Sequence, residues 1–286
     1  MLGKTLFILS LLSLCCGSSV LAQSKSMRVA TYNIRYDNPN DAPNTWAKRL
    51  PVMANQIQYH DFDIFGTQEV LFNQLKDLAE ALPAYAHIGV GRDDGKEKGE
   101  FAAVYYNKDR FTLQQQGHFW LSETPEKPSK GWDAAIPRIC TWGQFREQET
   151  GFSFYFFNVH FDHMGEQARK ESVNLIVRRI RQIAGNSPVI LAGDFNFSQK
   201  DEKYTTLNTS GILKDAFQLA DLRYAPRGTF NGFDADRNSD ERIDHIWLSS
   251  GFKVNRYGIL TDTYGDGKFP SDHFPVVAEI EYSVKR

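Results

Sequence analysis

The strongest constraint in this sequence is a set of apolar, strand-like runs that each meet a polar side chain at one end. In "VILAGDFN" (residues 189–196) four apolar residues reach a glycine and then present Asp194 and Asn196 two positions apart. Side chains at i and i+2 of an extended chain share a face, so this spacing places a carboxylate beside an amide at the rim of a buried strand. The same ending recurs at Asn33 in "VATYN", at Glu69 in "DIFGTQE" and at His160 in "FYFFNVH", where Asp162 follows two positions on. Asp244 opens "DHIWLS", and Asp272 with His273 precedes "FPVVAEIEY". Runs this apolar need cover, and amphipathic helices supply it. Leu50, Met53 and Ile57 fit one helical face, and Leu71, Leu75, Leu78 and Leu82 mark a second that stops before Pro83. Val173, Ile176, Val177, Ile180 and Ile183 form an apolar stripe with Arg178, Arg179 and Arg181 off it, ended by Gly185. Strands and helices mix without a regular alternation. That pattern favours two packed, mostly antiparallel sheets flanked by helices over a doubly wound or barrel fold.

The chain of 286 residues is 41% hydrophobic, enough to bury a substantial core in one domain. Its beginning reads as an export signal. Lys4 precedes "TLFILSLLSL", and Val20 and Ala22 have the spacing for cleavage after Ala22, giving a signal peptide over 1–22 and one domain over 23–286. The apolar stretch is short for a membrane span. Lipid attachment at Cys15 or Cys16 ranks second, because bulky Leu14 stands directly before Cys15. Removing this segment leaves Cys140 alone, which excludes an intrachain disulfide framework and a multi-cysteine zinc site. An exported chain without disulfides suggests a periplasmic or secreted protein. The net charge of −2, with no block of like charge, argues against a dedicated duplex-DNA binder.

A single Asp or Asn at a strand end is ordinarily a turn or cap residue, and a lone histidine is ordinarily a satisfied core residue. Six segments with the same character differ, because neighbouring strands can bring them to one sheet edge. The set holds carboxylates, carboxamides and imidazoles but no thiol. These are the parts for hydrolysing a phosphate ester with a hard cation, since Mg²⁺ takes oxygen ligands and needs only one or two carboxylates beside the substrate phosphate. A histidine can bond a phosphate oxygen or move a proton while an aspartate fixes its tautomer. Other chemistries fit less well. "DADRNSDE" (residues 234–241) lacks the glycine of a calcium loop and reads as a solvated loop. No G-x-S-x-G elbow or P-loop is present, and Ser271 beside Asp272 and His273 is not a triad, whose members converge from separate segments.

"TYNIR", "QEV", "NVHFDH", "GDFN", "RIDHIWLS" and "SDHFPV", in this order, resemble the metal-dependent endonuclease/exonuclease/phosphatase superfamily over about Met27 to Tyr282. The resemblance implies a four-layer α/β sandwich with its site at one edge of the central sheets, and a bound Mg²⁺ or Mn²⁺. It implies Glu69 as the principal metal carboxylate, Asn33 as the amide beside it and Asp272 as a second acid near the metal. His160 and His273 would contact the phosphate, with Asp244 orienting His273. Asp194 would align or deprotonate the attacking water, and Asn196 would steady the transition state. The implied reaction is in-line attack by water without a covalent intermediate. Asp162 and His163 receive no role.

The most individual stretch is "HFWLSETPEKPSKGWDAAIPRICTW". Trp120 and Trp142 lie in strand-like runs and read as sheet cover. Trp132 and Arg138 lie in irregular chain and are candidates to stack on a sugar or base ring and to hold a phosphate. A similar segment occurs in bacterial members of the superfamily that resemble sugar-phosphate phosphatases. No long basic insertion of the kind that grips duplex DNA is present. The expected substrate is a small phosphorylated molecule or an exposed phosphodiester, with nuclease action on DNA or RNA as the closest rival. A catalytically silent binding module is the third reading. It predicts a broken set, whereas Glu69, Asp194 and His273 are all present.

Overall fold

The computed structural model describes residues 23–284, so the expected signal segment lies outside the described residues. The first half of the chain holds β1 (Gln23–Asn33), α1 (Trp46–Tyr59), β2 (Ile64–Gln68), α2 (Phe72–Ala81), β3 (Tyr85–Ile88), β4 (Val104–Asn107), β5 (Phe111–Trp120) and β6 (Ile139–Glu147). There follow β7 (Ser153–His160), α3 (Glu166–Ala184), β8 (Val189–Asp194), α4 (Glu202–Asn208), β9 (Lys214–Asp215), α5 (Ala216–Leu219), β10 (Leu222–Tyr224), β11 (Asp244–Leu248), β12 (Phe252–Ile259) and β13 (Val276–Val284). They form a seven-stranded sheet ordered β10-β12-β13-β1-β2-β4-β3 and a six-stranded sheet ordered β5-β6-β7-β8-β11-β9. Both are mixed: β1 with β2, β7 with β8 and β10 with β12 run parallel, and the remaining pairs are antiparallel.

The two sheets face each other over a core that includes Val29, Ile64, Phe156, Ile190, Ile246 and Ile280. The alternate residues point outward. Tyr32, Phe65 and Tyr105 pack with Met53 and Ile57 of α1 and Leu75 and Leu78 of α2. Phe157, Leu191 and Trp247 pack with Val173, Ile176 and Ile180 of α3. The helical stripes read from the sequence are thus the outer layers of a four-layer sandwich. Burial of each such side chain contributes about 1.5–3 kcal/mol before entropy is counted.

Period-two geometry decides what lies at the rim. On β1 the inward set is Val29, Thr31, Asn33; on β7 it is Phe156, Asn158, His160; on β8 it is Ile190, Ala192, Asp194. The space between the sheets therefore changes from apolar to polar along the strands. A cross-sheet amide layer marks the change. Gln68 Nε2 donates to Thr31 Oγ1 (3.0 Å) and Asn158 Oδ1 (2.7 Å), while Asn158 Nδ2 donates to the carbonyls of Thr67 (2.8 Å) and Ala103 (2.9 Å). Gly66 is required here, because a Cβ at this position would overlap the Asn158 amide.

Candidate active site

Strand direction and register bring the polar endings together. The parallel pair β1 and β2 stop side by side at Asn33 and Gln68, with Glu69 next in the chain. The parallel pair β7 and β8 stop side by side at His160 and Asp194. β11 runs antiparallel to β8 and begins where β8 ends, with Asp244 opposite Asp194. β13 runs antiparallel to β1, pairing Val276 with Thr31, so Asp272 and His273 lie past the end of β1. Six segments scattered over the chain thus reach one edge. A cavity of about 540 Å³ opens there, lined by Glu69, His160, Asp194, Asn196, Asp272 and His273 together with Arg35, Glu100 and Arg138.

Asn33 sits at the centre. Its Nδ2 lies 3.1 Å from Glu69 Oε1, 3.0 Å from Asp194 Oδ2 and 3.5 Å from His273 Nε2. His273 Nδ1 is 2.9 Å from Asp244 Oδ2, and its Nε2 is 3.8 Å from Asp194 Oδ2. His160 Nε2 approaches the same Asp194 oxygen at 3.6 Å. Arg35, clamped by Asp41 at 2.8 and 3.0 Å, places Nη1 3.9 Å from Glu69 and 3.7 Å from Asp272. Arg35, Glu69 and Asn196 all adopt left-handed backbone (φ 57°, 62° and 50°), conformations that persist only where surrounding structure enforces them and that cluster at functional sites.

The Asp194–Asn196 pair differs from its extended-chain expectation. β8 stops at Asp194, and left-handed Asn196 turns back so that its N–H donates to Asp194 Oδ1 (2.9 Å) and its Nδ2 donates to the Phe161 carbonyl (3.0 Å). Both residues still line the cavity. Likewise β7 stops at His160, so Asp162 does not continue that face. Its carboxylate accepts backbone N–H groups of Ala135, Ile136, Met164 and Gly165, which draw its pKa down to about 2 against the effect of burial.

Burial and like charge set the protonation of the site. Burial, reinforced by the Asp244 charge, raises Asp194 to about 7. Burial and the Glu69 charge raise Asp272 to about 6, against the pull of His273, Arg35 and Arg49. Burial alone would lower His273, but Asp244, Asp194 and Asp272 together carry it up to about 10. His160 is held well below the usual range by burial and by the Arg138 and Arg92 charges. One imidazole is therefore cationic and the other neutral.

The endonuclease/exonuclease/phosphatase family model matches residues 30–273, which contain every residue of this cluster. The chain belongs to the endonuclease/exonuclease/phosphatase family. Its members are hydrolases acting on phosphate esters. A family protein of Bacteroides thetaiotaomicron is 50% identical with a TM-score of 0.89, covering 91% of this chain and 99% of that one. The mannosyl-6-phosphatase of the same organism is 51% identical with a TM-score of 0.87, covering 89% of this chain and 99% of that one. A protein of Acanthamoeba polyphaga mimivirus is 29% identical over 251 residues, 82% of this chain and 92% of its own length.

Within this family member two donor groups could attract a cation. Asp194, Asp244 and His273 offer ligand atoms within 4.8 Å of one another, yet His273 Nδ1 already bonds Asp244, the arrangement of a proton relay. Glu69 and Asp272 instead share a neighbour, Arg35 Nη1, and are carboxylates of the kind hard divalent ions take; Asn33 beside them turns its Nδ2 to Glu69 and its Oδ1 to the Arg35 N–H at 3.1 Å. Of the two residues from the irregular segment, Arg138 lines the cavity. Its Nε and Nη2 bond Asp162 (3.3 Å) and His163 Nδ1 (2.9 Å), and its buried Nη1 has no partner among the described residues. Trp132 is not a lining residue: its backbone N–H bonds the Glu123 carboxylate and its ring packs on the outer face of the six-stranded sheet. Sequence reasoning missed Arg35 and Glu100. Arg35 lay inside the quoted "TYNIR", and Glu100, paired with Arg92 at 2.7 and 2.8 Å, lay in a charged run that reads as solvated loop.

Proposed function

We propose that this chain is a divalent-cation-dependent phosphatase of a small phosphorylated sugar, working by in-line attack of water on phosphorus. The observation that carries the chemistry is the gathering of Asn33, Glu69, His160, Asp194, Asp244, Asp272 and His273 at one sheet edge, around a cavity large enough for a phosphorylated hexose. The 51% identity to a mannosyl-6-phosphatase across nearly the whole of both chains supports the sugar phosphate over a polynucleotide.

In this reading Glu69 and Asp272 would hold the cation, Mg²⁺ or Mn²⁺, with the Asn33 amide beside them. A bound divalent ion would neutralise charge on the phosphate and on the leaving oxygen. Asp194, held by Asn33 Nδ2 and the Asn196 N–H, takes the proton of the attacking water, and burial gives it the basicity for that task. Cationic His273 donates from Nδ1 to Asp244 and carries its second proton on Nε2, from which it donates to a phosphate oxygen. Neutral His160 and the second amide hydrogen of Asn196 face the same phosphate, and Arg138 Nη1 supplies a further donor. Trp132 is assigned no contact with the reacting group. We further assign residues 1–22 as an export signal and 23–286 as the catalytic domain, in a periplasmic or secreted protein.

Release of phosphate from mannose 6-phosphate, of p-nitrophenol from bis-p-nitrophenyl phosphate and of shortened products from single-stranded DNA, each with Mg²⁺, Mn²⁺ or EDTA, tests the reading. The expected preference is for the sugar phosphate with either metal. Faster cleavage of DNA or of the diester would instead favour the nuclease reading.

A further inference from the structure

Arg49 lies on α1, away from the cavity lining, and is wholly buried. A buried arginine ordinarily meets a carboxylate. This one meets four backbone carbonyls. Nη1 donates to Ile34 O (2.6 Å) and Pro270 O (3.0 Å), Nη2 to Arg35 O (3.1 Å) and Nε to Asn44 O (3.0 Å). The rings of Trp46 and Phe233 lie 5.3 and 5.6 Å from its guanidinium carbon, fixing the plane of the fork.

The identity of those carbonyls matters more than their number. Ile34 and Arg35 follow Asn33 directly, and Pro270 stands two residues before Asp272. One guanidinium nitrogen therefore ties the exit of β1 to the approach of β13, segments far apart in sequence. Ser271 Oγ closes the same seam by donating to the Asn33 carbonyl at 2.7 Å. Arg49 also secures the carbonyl of Arg35, whose left-handed backbone brings its N–H to Asn33 Oδ1 at 3.1 Å. Without this tie nothing in the ladder of β1 and β13 fixes Asp272 relative to Asn33, because the pairing of these two strands ends at Thr31 and Val276.

We infer that Arg49, with Ser271 Oγ as its second stitch, is the positioning residue that sets the spacing of Asn33 and Asp272 and so tunes the affinity of the site for a divalent cation. The inference rests on the functional reading above. A lysine can supply charge but not the fork that reaches four carbonyls. Supporting groups of this kind typically change metal affinity by about 10–100-fold.

The test is Mn²⁺ binding by calorimetry to the wild-type chain and to Arg49→Lys, with melting temperatures recorded with and without saturating Mn²⁺. About tenfold weaker binding in the folded variant is expected, with a smaller metal-induced rise in melting temperature. A purely structural role would lower both melting temperatures equally and leave affinity within about twofold, which overturns the inference. If Arg49→Lys does not fold, Ser271→Ala decides: a loss of about threefold or more supports the seam, and unchanged affinity rejects it. A wild-type chain that binds no Mn²⁺ would remove the functional reading and this inference together.

Discussion

Asp194 illustrates how the site trades stability for chemistry. It is buried, and its carboxyl is raised to about 7 by that burial and by Asp244. A carboxyl raised in the folded state contributes stability below its ordinary value near 4, and that contribution is lost as pH rises through about 7. In the metal-free chain at pH 8, Asp194→Asn should therefore melt at the same temperature as wild type or a few degrees above it, while kcat falls by about 10³ or more. A calorimetric scan beside a phosphate-release assay checks both halves, and near-normal turnover would remove Asp194 from the role of base. His273 gives a second prediction at this scale. Its proton is held chiefly by Asp244, so the alkaline limb of kcat/KM should fall at or below about 10 in wild type, because a bound cation disfavours the imidazolium. Asp244→Asn should move that limb down by more than about one pH unit, towards the ordinary imidazole range. The acid limb should lie at or below about 7, since a bound cation favours the Asp194 carboxylate. A pH–rate profile of the two proteins tests this directly, and coincident alkaline limbs would dismiss the relay. Sequence alone revealed Asp194, Asn196, Asp244 and His273 because each ends or borders an apolar run. It passed over Glu100, whose lysine-rich neighbours suggest solvent, and Arg49, a charge on a helical face whose apolar members Met53 and Ile57 drew the attention.

Among the elements, helices with at least two full turns of apolar stripe were legible. α3 spans Glu166–Ala184 as its stripe requires, and left-handed Gly185 (φ 57°) ends it. The four-residue α5 and the two-residue β9 were not legible, because neither is long enough to display a period. The end of β7 at His160 was legible, but that of β8 was misjudged by two residues, since the turn at Asn196 depends on the Phe161 carbonyl and not on local propensity. α3 covers the sheet face opposite the site, which separates its stability from catalysis. Ile176→Ala should cost about 2–5 kcal/mol in urea unfolding and leave kcat within about twofold at a temperature where the variant is folded. Asn158→Ala differs, because Asn158 spans both sheets directly beneath the rim. It should cost about 1–3 kcal/mol through lost partners for Gln68 and the Thr67 carbonyl. It should also lower kcat, which an equal-stability comparison with Ile176→Ala would separate from a general loss of fold.

Across the whole molecule, function follows from strand direction. Two parallel pairs, one in each sheet, finish at the same edge, and two antiparallel neighbours start there, so residues from six segments meet. Their polar character was visible in the sequence. Their meeting was visible only through the family resemblance, because pairing and register are set by contacts between distant segments that no local pattern contains. The carboxylates, amides and imidazoles gathered at this edge need no cysteine partner, and among the described residues the one free thiol, Cys140, is buried in the outer layer. The most direct measurement is the rate of phosphate release from mannose 6-phosphate by the wild-type chain and by Asp194→Asn, in Mg²⁺ and after chelation. Turnover that requires the ion and is lost in the variant is the expected result. Hydrolysis that survives both chelation and the substitution would contradict it.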